Sequence, residues 1–168
     1  MSSISREMFH TQEKRPIDLI APVLAVRNDA WLGPGYYFWR DEVDALAWGR
    51  NSKRTTGFFQ VYNALIQSDK ILDTVFNEKD YEFWLNLITK ISKKLIKSYS
   101  GIPKIKHLNK FCQMHGVYKD IDAIQFQDIP MNKDFELFRK MYIRKRIQLA
   151  VYELSIVSNF KLYSEMEC

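Results

Sequence analysis

With 168 residues, of which 46% are hydrophobic and 27% charged, the chain is long enough for the core of one soluble globular domain, which we assign to residues 1–168. No apolar run approaches the ~20 residues that cross a bilayer, no apolar signal segment opens the chain, and its two cysteines form neither a disulfide framework nor a zinc pattern. These features argue against a membrane protein and a metal site, and they predict a cytoplasmic protein. The net charge of +5 favours an anionic partner.

The chain is predicted to begin with a strand and a short helix. Residues 6–12 suit an extended strand, in which the side chains of His10 and Thr11 point to opposite faces. The apolar residues within 16–25 predict a short helix that is interrupted at Pro22.

A glycine-rich turn then leads into an aromatic strand and a helix. Gly33 and Gly35 flank a proline, and the four aromatic residues that follow suit a strand in which Tyr37 and Trp39 share one face. Asp41 is expected to cap a short helix after this strand. That helix is predicted to bury three side chains: Val43, Leu46 and Ala47.

A strand and the longest helix are predicted next. The strand spans residues 57–66 and ends in a turn at Ser68 and Asp69. The helix lies within residues 77–99, because Asn77 can cap its first turn and apolar residues recur at helical spacing. Its expected buried stripe consists of Tyr81, Trp84, Leu85, Ile88, Ile91, Leu95 and Tyr99.

Three further segments lead to the last strand. A second helix begins near Ile105 and ends near Gly116, since glycine suits the residue that follows a helix. Residues 122–126 suit a strand, and residues 130–141 are predicted to form a loop or a short helix.

Positive charge is concentrated in two stretches of the chain. No acidic residue lies between Glu82 and Asp120, and a second basic cluster precedes the last strand. The first stretch holds Lys90, Lys93, Lys94, Lys97, Lys104, Lys106, Lys110 and Lys119, and the second holds Arg139, Lys140, Arg144, Lys145 and Arg146. Such runs are typical of solvated faces or of a surface that binds nucleic acid, and both interpretations remain open.

The last predicted strand, residues 146–156, alternates between two faces. One face carries Arg146, Gln148, Ala150 and Tyr152, and the other carries Ile147, Leu149 and Val151. This alternation predicts a strand with a different environment on each side.

Two stretches of the sequence carry a family resemblance. The pattern of Gly33, Gly35, Tyr37 and Phe38 followed by Ala45 and Trp48 is similar to the nicotinamide-pocket strand and helix of the ADP-ribosyltransferases of the diphtheria-toxin and poly(ADP-ribose) polymerase type. In the last strand, residues 151–153 (Val-Tyr-Glu) resemble the end of the family's Glu-Tyr-Ile-Val-Tyr-Asp segment. This register puts Gln148 where the family carries its catalytic glutamate.

The resemblance implies a fold, a co-substrate and a set of site residues. The fold would be α/β (α+β), with split, mostly antiparallel sheets flanked by helices, and NAD would be the co-substrate without a metal. In the family a histidine of the first strand binds a ribose hydroxyl and the backbone of the next residue holds the nicotinamide amide, which implies these roles for His10 and Thr11. Tyr37 would stack on the nicotinamide, and Gly35 and Trp48 would complete the cofactor pocket.

The catalytic position is where the sequence departs from the family. Transfer of ADP-ribose passes through an oxocarbenium-like transition state, which a carboxylate at position 148 would stabilise. Gln148 keeps a hydrogen bond to the ribose and loses the charge. Either glutamine is the native residue, or a glutamate has been replaced to disarm the enzyme. We expect the catalytic side chains of His10, Tyr37 and Gln148 to converge on one cleft, with Trp48 close to Tyr37.

Three functions from different classes are compatible with these observations. The first is an NAD-dependent mono-ADP-ribosyltransferase, a small intracellular toxin that modifies nucleic acid or protein and has an antitoxin or inhibitor protein as a further partner. The second is a module of the same fold that binds NAD or ADP-ribose without catalysis. The third is a basic nucleic-acid-binding protein whose aromatic side chains stack on bases.

Overall fold

The structure, a computed structural model, describes residues 1–26, 30–51, 55–96, 102–128, 136–138, 141–142 and 145–168. For residues 136–138 and 141–142 the description covers the backbone alone. The helices in these ranges are α1 (Glu42–Asn51), α2 (Glu78–Ile96) and α3 (Ile105–Met114). None of the three is long and apolar enough to cross a membrane.

A mostly antiparallel sheet forms the centre of the molecule. Its six strands are β1 (Ser2–Glu13), β2 (Tyr36–Trp39), β3 (Phe58–Asp73), β4 (Ala123–Asp128), β7 (Arg146–Val151) and β8 (Val157–Glu167). Strands β5 (Glu136–Phe138) and β6 (Met141–Tyr142) form a separate hairpin. This mixed α/β architecture, with a mostly antiparallel sheet and flanking helices, confirms the predicted fold class.

The six strands pair as two antiparallel halves. Strands β1, β3 and β8 make one half, and β2, β7 and β4 make the other. The halves are joined by the parallel pairing of β3 with β4 and by one residue pair between β1 and β2, Phe9 with Trp39. Because β1 contacts both β2 and β3, the strand order closes on itself.

The sheet has two faces with different partners. We call the inner face the one that carries Met8, Phe38 and Leu149, whose side chains meet in one buried cluster drawn from both halves. The outer face packs against the helices, with Val61 in the cluster that includes α1 and Ile124 in the cluster that includes α2 and α3. The alternation along each strand therefore separates two apolar layers.

Strand β3 is longer than predicted, and the prediction of a turn at Ser68 and Asp69 is wrong. Both residues lie within β3, where Ser68 pairs with Ile4 of β1. The hydroxyl of Ser68 also donates to Asp122 at 2.6 Å. Pairing with a long neighbouring strand therefore overrides the local turn preference of these two residues.

Helix α2 confirms the longest predicted helix. The side-chain oxygen of Asn77 accepts a hydrogen bond from the backbone N–H of Asp80 at 3.2 Å, as expected of a helix cap. The buried stripe consists of Trp84, Ile88, Ile91 and Leu95. Tyr81 and Leu85, which were also expected to be buried, are exposed, and Tyr99 lies outside the described residues.

The segments between α2 and β7 match the prediction in part. Helix α3 is followed by Gly116 in the left-handed region (φ +65°), which suits its predicted end. Strand β4 contains most of the predicted strand 122–126. The described residues of the stretch 130–141 belong to β5 and β6 and not to a loop or helix, and the others lie outside the described ranges.

Residues 16–25 are not helical, which corrects the prediction of a short helix there. Ile17 and Ile20 are 82% and 95% exposed, so this segment presents no buried apolar stripe. Prolines near both ends leave too few residues for a stable helix. The backbone N–H of Leu19 instead donates to the hydroxyl of Tyr62 at 3.1 Å, and the segment runs across the sheet as irregular chain.

Helix α1 forms where predicted but buries a different face. Three residues expected to be buried are not: Val43 is 56% exposed, and Leu46 and Ala47 are half-buried. Ala45 and Gly49 face the sheet instead, and a Cβ added to Gly49 would lie 2.2 Å from the ring of Phe59. Small side chains therefore set the close approach of α1 to β3.

Candidate functional site

His10 follows Phe9, the residue of β1 that pairs with β2. Its imidazole Nδ1 is 2.9 Å from the carbonyl oxygen of Tyr37 in β2. The backbone N–H of Val23, in the irregular segment, donates to its Nε2 at 3.3 Å. The side chain of His10 therefore ties β1, β2 and the segment 16–25 together.

These contacts fix the protonation state of His10. Because Nε2 accepts a hydrogen bond, Nδ1 must carry the proton and donate to the Tyr37 carbonyl, which is a neutral tautomer. The side chain is 4% exposed, and burial lowers its pKa from 6.5 to about 4 although the hydrogen bond to Tyr37 opposes that shift. At neutral pH the imidazole is uncharged and both ring nitrogens have partners.

The side chains of His10 and Gln148 lie on opposite faces of the sheet. The pairs Phe9–Trp39 and Trp39–Gln148 put Gln148 on the outer face, together with Trp39. His10 points to the inner face, where its ring centroid is 5.5 Å from that of Phe38. The expectation that the side chains of His10, Tyr37 and Gln148 converge on one cleft is therefore wrong for His10.

Thr11 takes the position that His10 was expected to share with Gln148. Its side chain points to the outer face, and its hydroxyl donates to the carbonyl oxygen of Ala45 in α1 at 2.9 Å. This buried hydrogen bond joins β1 to α1 beside the Phe9–Trp39 pair. The alternation of β1 already separates His10 from Thr11, but the sequence does not show which of the two side chains shares a face of the sheet with Gln148.

Tyr37 and Trp48 pack in two different clusters of the outer face. The ring of Trp48 lies beside Trp39, with centroids 5.8 Å apart, in the cluster that includes α1. The ring of Tyr37 is partly buried against the cluster that includes α2 and α3. The hydroxyl of Tyr37 accepts from the N–H of Leu32 at 3.1 Å and donates to the carbonyl of Gly33 at 2.7 Å.

Both glycines of the turn before β2 occupy positions where a larger residue would clash with its neighbours. Gly33 adopts φ +89°, and a Cβ there would lie 2.7 Å from the side chain of Gln113 in α3. A Cβ on Gly35 would lie 3.0 Å from the carbonyl oxygen of Val151. Gly35 also pairs with Ala25, so it contributes backbone contacts to this site.

Gln148 lies in a row of side chains across the outer face. It pairs with Trp39 on one side and with Phe126 on the other, and it is 7% exposed. In the same row Phe9 is opposite Trp39, so residues from both halves of the sheet flank this position. Gln148 is thus central on the outer face and nearly closed off from solvent.

A buried charged cluster beside Gln148 was not predicted from the sequence. The guanidinium of Arg146 lies over the ring of Trp39 at 4.7 Å, and it is 3.3 Å from Asp128 and 4.0 Å from Asp44 of α1. Arg146 belongs to the second basic stretch of the sequence, although the alternation of β7 puts it on the face of Gln148. Arg146, Asp44 and Asp128 thus bring charged groups to the outer face next to Gln148.

Comparisons with protein-family models, with curated proteins and with solved structures gave no match. Within the described ranges no three metal-ligating side chains come together. The fold and the site thus define a mixed α/β domain with a buried polar centre between β1, β2, α1 and β7.

Proposed function

We propose that this protein is an NAD-dependent mono-ADP-ribosyltransferase whose reaction centre lies on the outer face around Gln148. One observation carries the proposal: β1, β2, α1 and β7 meet where the halves of the sheet join, and they bring Thr11, Trp39 and Gln148 to the same face. Those are the elements on which the family resemblance depends. NAD serves as co-substrate, and a nucleic acid or a protein accepts the ADP-ribose.

The residues of the outer face suit a cationic leaving group. Asp44 and Asp128 bring carboxylates near Gln148, and carboxylates attract a cation such as the nicotinamide ring of NAD. The amide of Gln148 can bond a hydroxyl of the ribose whose bond to nicotinamide breaks. As that bond breaks, nicotinamide leaves with the bonding electrons, and the acceptor forms a bond to the ribose carbon and loses a proton.

His10 has a structural role in this proposal. Its side chain lies on the inner face, opposite Gln148, and its ring nitrogens bond the carbonyl of Tyr37 and the N–H of Val23. Thr11 therefore takes the place on the outer face that the resemblance implied for His10.

A second candidate function is the binding of NAD or ADP-ribose without turnover. Gln148 is neutral, and a neutral amide stabilises an oxocarbenium-like centre less than a carboxylate does. The imidazole of His10 lies on the opposite face with both ring nitrogens bonded, so it cannot assist cleavage beside Gln148. These two observations favour a protein that binds the dinucleotide and cleaves it slowly or not at all.

The test is the release of nicotinamide from NAD by the parent protein and by Gln148→Glu. A carboxylate at position 148 should raise the rate by roughly a hundredfold, because it stabilises charge that develops only in the transition state, while NAD affinity changes much less. Burial at position 148 should raise the pKa of the new carboxyl, although Arg146 opposes that shift, so the gain should grow as pH rises.

The control is Gln127→Glu, which adds the same charge at an exposed position of β4. It should leave nicotinamide release unchanged. NAD should raise the unfolding temperature of all three proteins, since a ligand that binds the folded state stabilises it. If NAD stabilises none of them, both candidate functions are wrong. If NAD stabilises them but Gln148→Glu is no more active with any acceptor, the binding module is the function.

A further inference from the structure

Helices α2 and α3 carry a basic surface that the proposed reaction centre does not use. Lys93 and Lys94 lie three and four residues after Lys90, on its side of the helix, and all three are exposed. They lie opposite the buried stripe of α2 from Trp84 to Leu95. The C-terminal half of α2 thus presents a row of ammonium groups to solvent.

Helix α3 extends this surface. It packs against α2 in one apolar cluster, and Lys104 and Lys110 are exposed at its start and on its outer side. No acidic residue occurs in the sequence from Phe83 to Lys119. Among the described residues no carboxylate pairs with the three lysines of the α2 row or with these two lysines of α3. We call these five residues the lysine surface: Lys90, Lys93, Lys94, Lys104 and Lys110.

The lysine surface is connected to the strand that carries the candidate site. The side-chain amide of Gln113 in α3 donates to the carbonyl of Pro34 at 2.9 Å, and that of Asn109 donates to the carbonyl of Trp31 at 3.1 Å. The turn held in this way is the one that bonds the hydroxyl of Tyr37. A ligand lying along α3 would therefore pass beside the entrance to β2.

We propose that the lysine surface binds the phosphate backbone of a nucleic acid, and that this nucleic acid is the acceptor of the ADP-ribose. In the C-terminal half of α2 and in α3 the charged side chains are all basic, which matches a polymer with one negative charge per nucleotide, and ammonium groups bind phosphates as point charges. A folded protein presents both signs of charge, so it matches this surface less well. The acceptor assignment rests on the proposed function, but the docking does not.

The experiment compares two triple variants of equal charge. Lys90→Gln, Lys93→Gln and Lys94→Gln together remove the α2 row, whereas Lys70→Gln, Lys79→Gln and Lys161→Gln remove three exposed lysines elsewhere. Binding of labelled single-stranded RNA, single-stranded DNA and duplex DNA is measured over a range of salt concentrations.

The parent protein should bind one of these nucleic acids with an affinity that falls linearly with salt on logarithmic axes. Loss of the α2 row should weaken binding about tenfold or more and reduce the salt slope by roughly two to three, since each phosphate contact contributes close to one unit. The control triple variant should retain the affinity of the parent to within about twofold.

Equal loss in the two triple variants would overturn the proposal, because it would show an effect of net charge alone. So would binding of polyglutamate through the α2 row with no binding of any nucleic acid, which would indicate an acidic protein partner. NAD stabilisation is measured on the same variants and should not change. A failure of docking with NAD stabilisation intact leaves the proposed function standing, and the reverse result leaves docking standing alone.

Discussion

The imidazole of His10 acts as a structural bridge at the scale of single residues. It links β1 to β2 through a hydrogen bond to the carbonyl of Tyr37, and it accepts a hydrogen bond from the N–H of Val23. Its ring nitrogens provide partners for two backbone groups, and a buried polar group without a partner would be unfavourable. Its neighbour Thr11 faces the helices and belongs to the candidate reaction centre.

The lowered pKa of His10 predicts a stability that depends on pH. The unfolded chain takes up a proton near pH 6.5, whereas the folded protein does so only near pH 4, so between these values the unfolded state binds more protons. The free energy of unfolding should therefore fall by about 2 kcal/mol from about pH 7.5 to about pH 5, beyond the contribution of other groups.

Denaturant titrations of the parent and of His10→Gln at both pH values measure this contribution. The free energy of unfolding should change less between the two pH values in His10→Gln than in the parent. His115→Gln, at an exposed position, should behave like the parent. An equal pH dependence in parent and His10→Gln would show that His10 is not the titrating group.

At the scale of secondary-structure elements, the face that α1 buries is set by close approach to the sheet and not by hydrophobicity. Ala45 and Gly49 face β1 and β3, while the larger Val43 is exposed. A glycine in a helix interior normally destabilises the helix by about 1 kcal/mol relative to alanine, so a contact must compensate. Here that contact is the ring of Phe59.

Gly49→Ala should therefore destabilise the protein in spite of the helix propensity of alanine. The added methyl group would lie 2.2 Å from the Phe59 ring, and overpacking of this kind costs about 1–3 kcal/mol. Val43→Ala, at an exposed position, should change the free energy of unfolding by less than about 0.5 kcal/mol. Urea denaturation of both variants provides the comparison, and a Gly49→Ala protein as stable as the parent would refute this packing.

At the scale of the whole molecule, the two halves of the sheet share one buried cluster. Met8 and Ala64 come from one half, and Phe38 and Leu149 from the other. Neither half can bury its inner face alone, because each has three strands and the apolar residues of one contact those of the other. The parallel pairing of β3 with β4 adds a hydrogen-bonded link between the two halves.

The two halves should consequently unfold as one unit. Trp39 and Trp48 report on the α1 side, and Trp31 and Trp84 report on the side of α2 and α3. Fluorescence of Trp48→Phe and of Trp84→Phe should give a single transition that coincides with the loss of far-ultraviolet circular dichroism. Leu149→Ala should move both probes to lower denaturant by the same amount, at a loss of about 2–5 kcal/mol. Separate transitions would show that the α1 side and the side of α2 and α3 unfold independently, which contradicts a single buried cluster shared by the whole sheet.

The sequence by itself determined the elements whose signals are local. The cap at Asn77, the apolar repeat of α2 and the glycine after α3 depend on residues a few positions apart, and these predictions are confirmed. The alternation of β7 likewise separated Gln148 from Leu149. Which residues share a face of one strand could therefore be predicted at the candidate site.

Only the tertiary structure decided how those strands meet. The Phe9–Trp39 pair places the side chain of Thr11, and not that of His10, on the outer face. Pairing with β1 keeps β3 extended at Ser68, where the sequence predicts a turn. Register between strands that are distant in sequence depends on the packing of both apolar layers at once, and shifting it by one residue exchanges the two faces. Local sequence patterns carry no information about that pairing, so they predicted which residues share a face of β7 but not which face of β1 lies beside it.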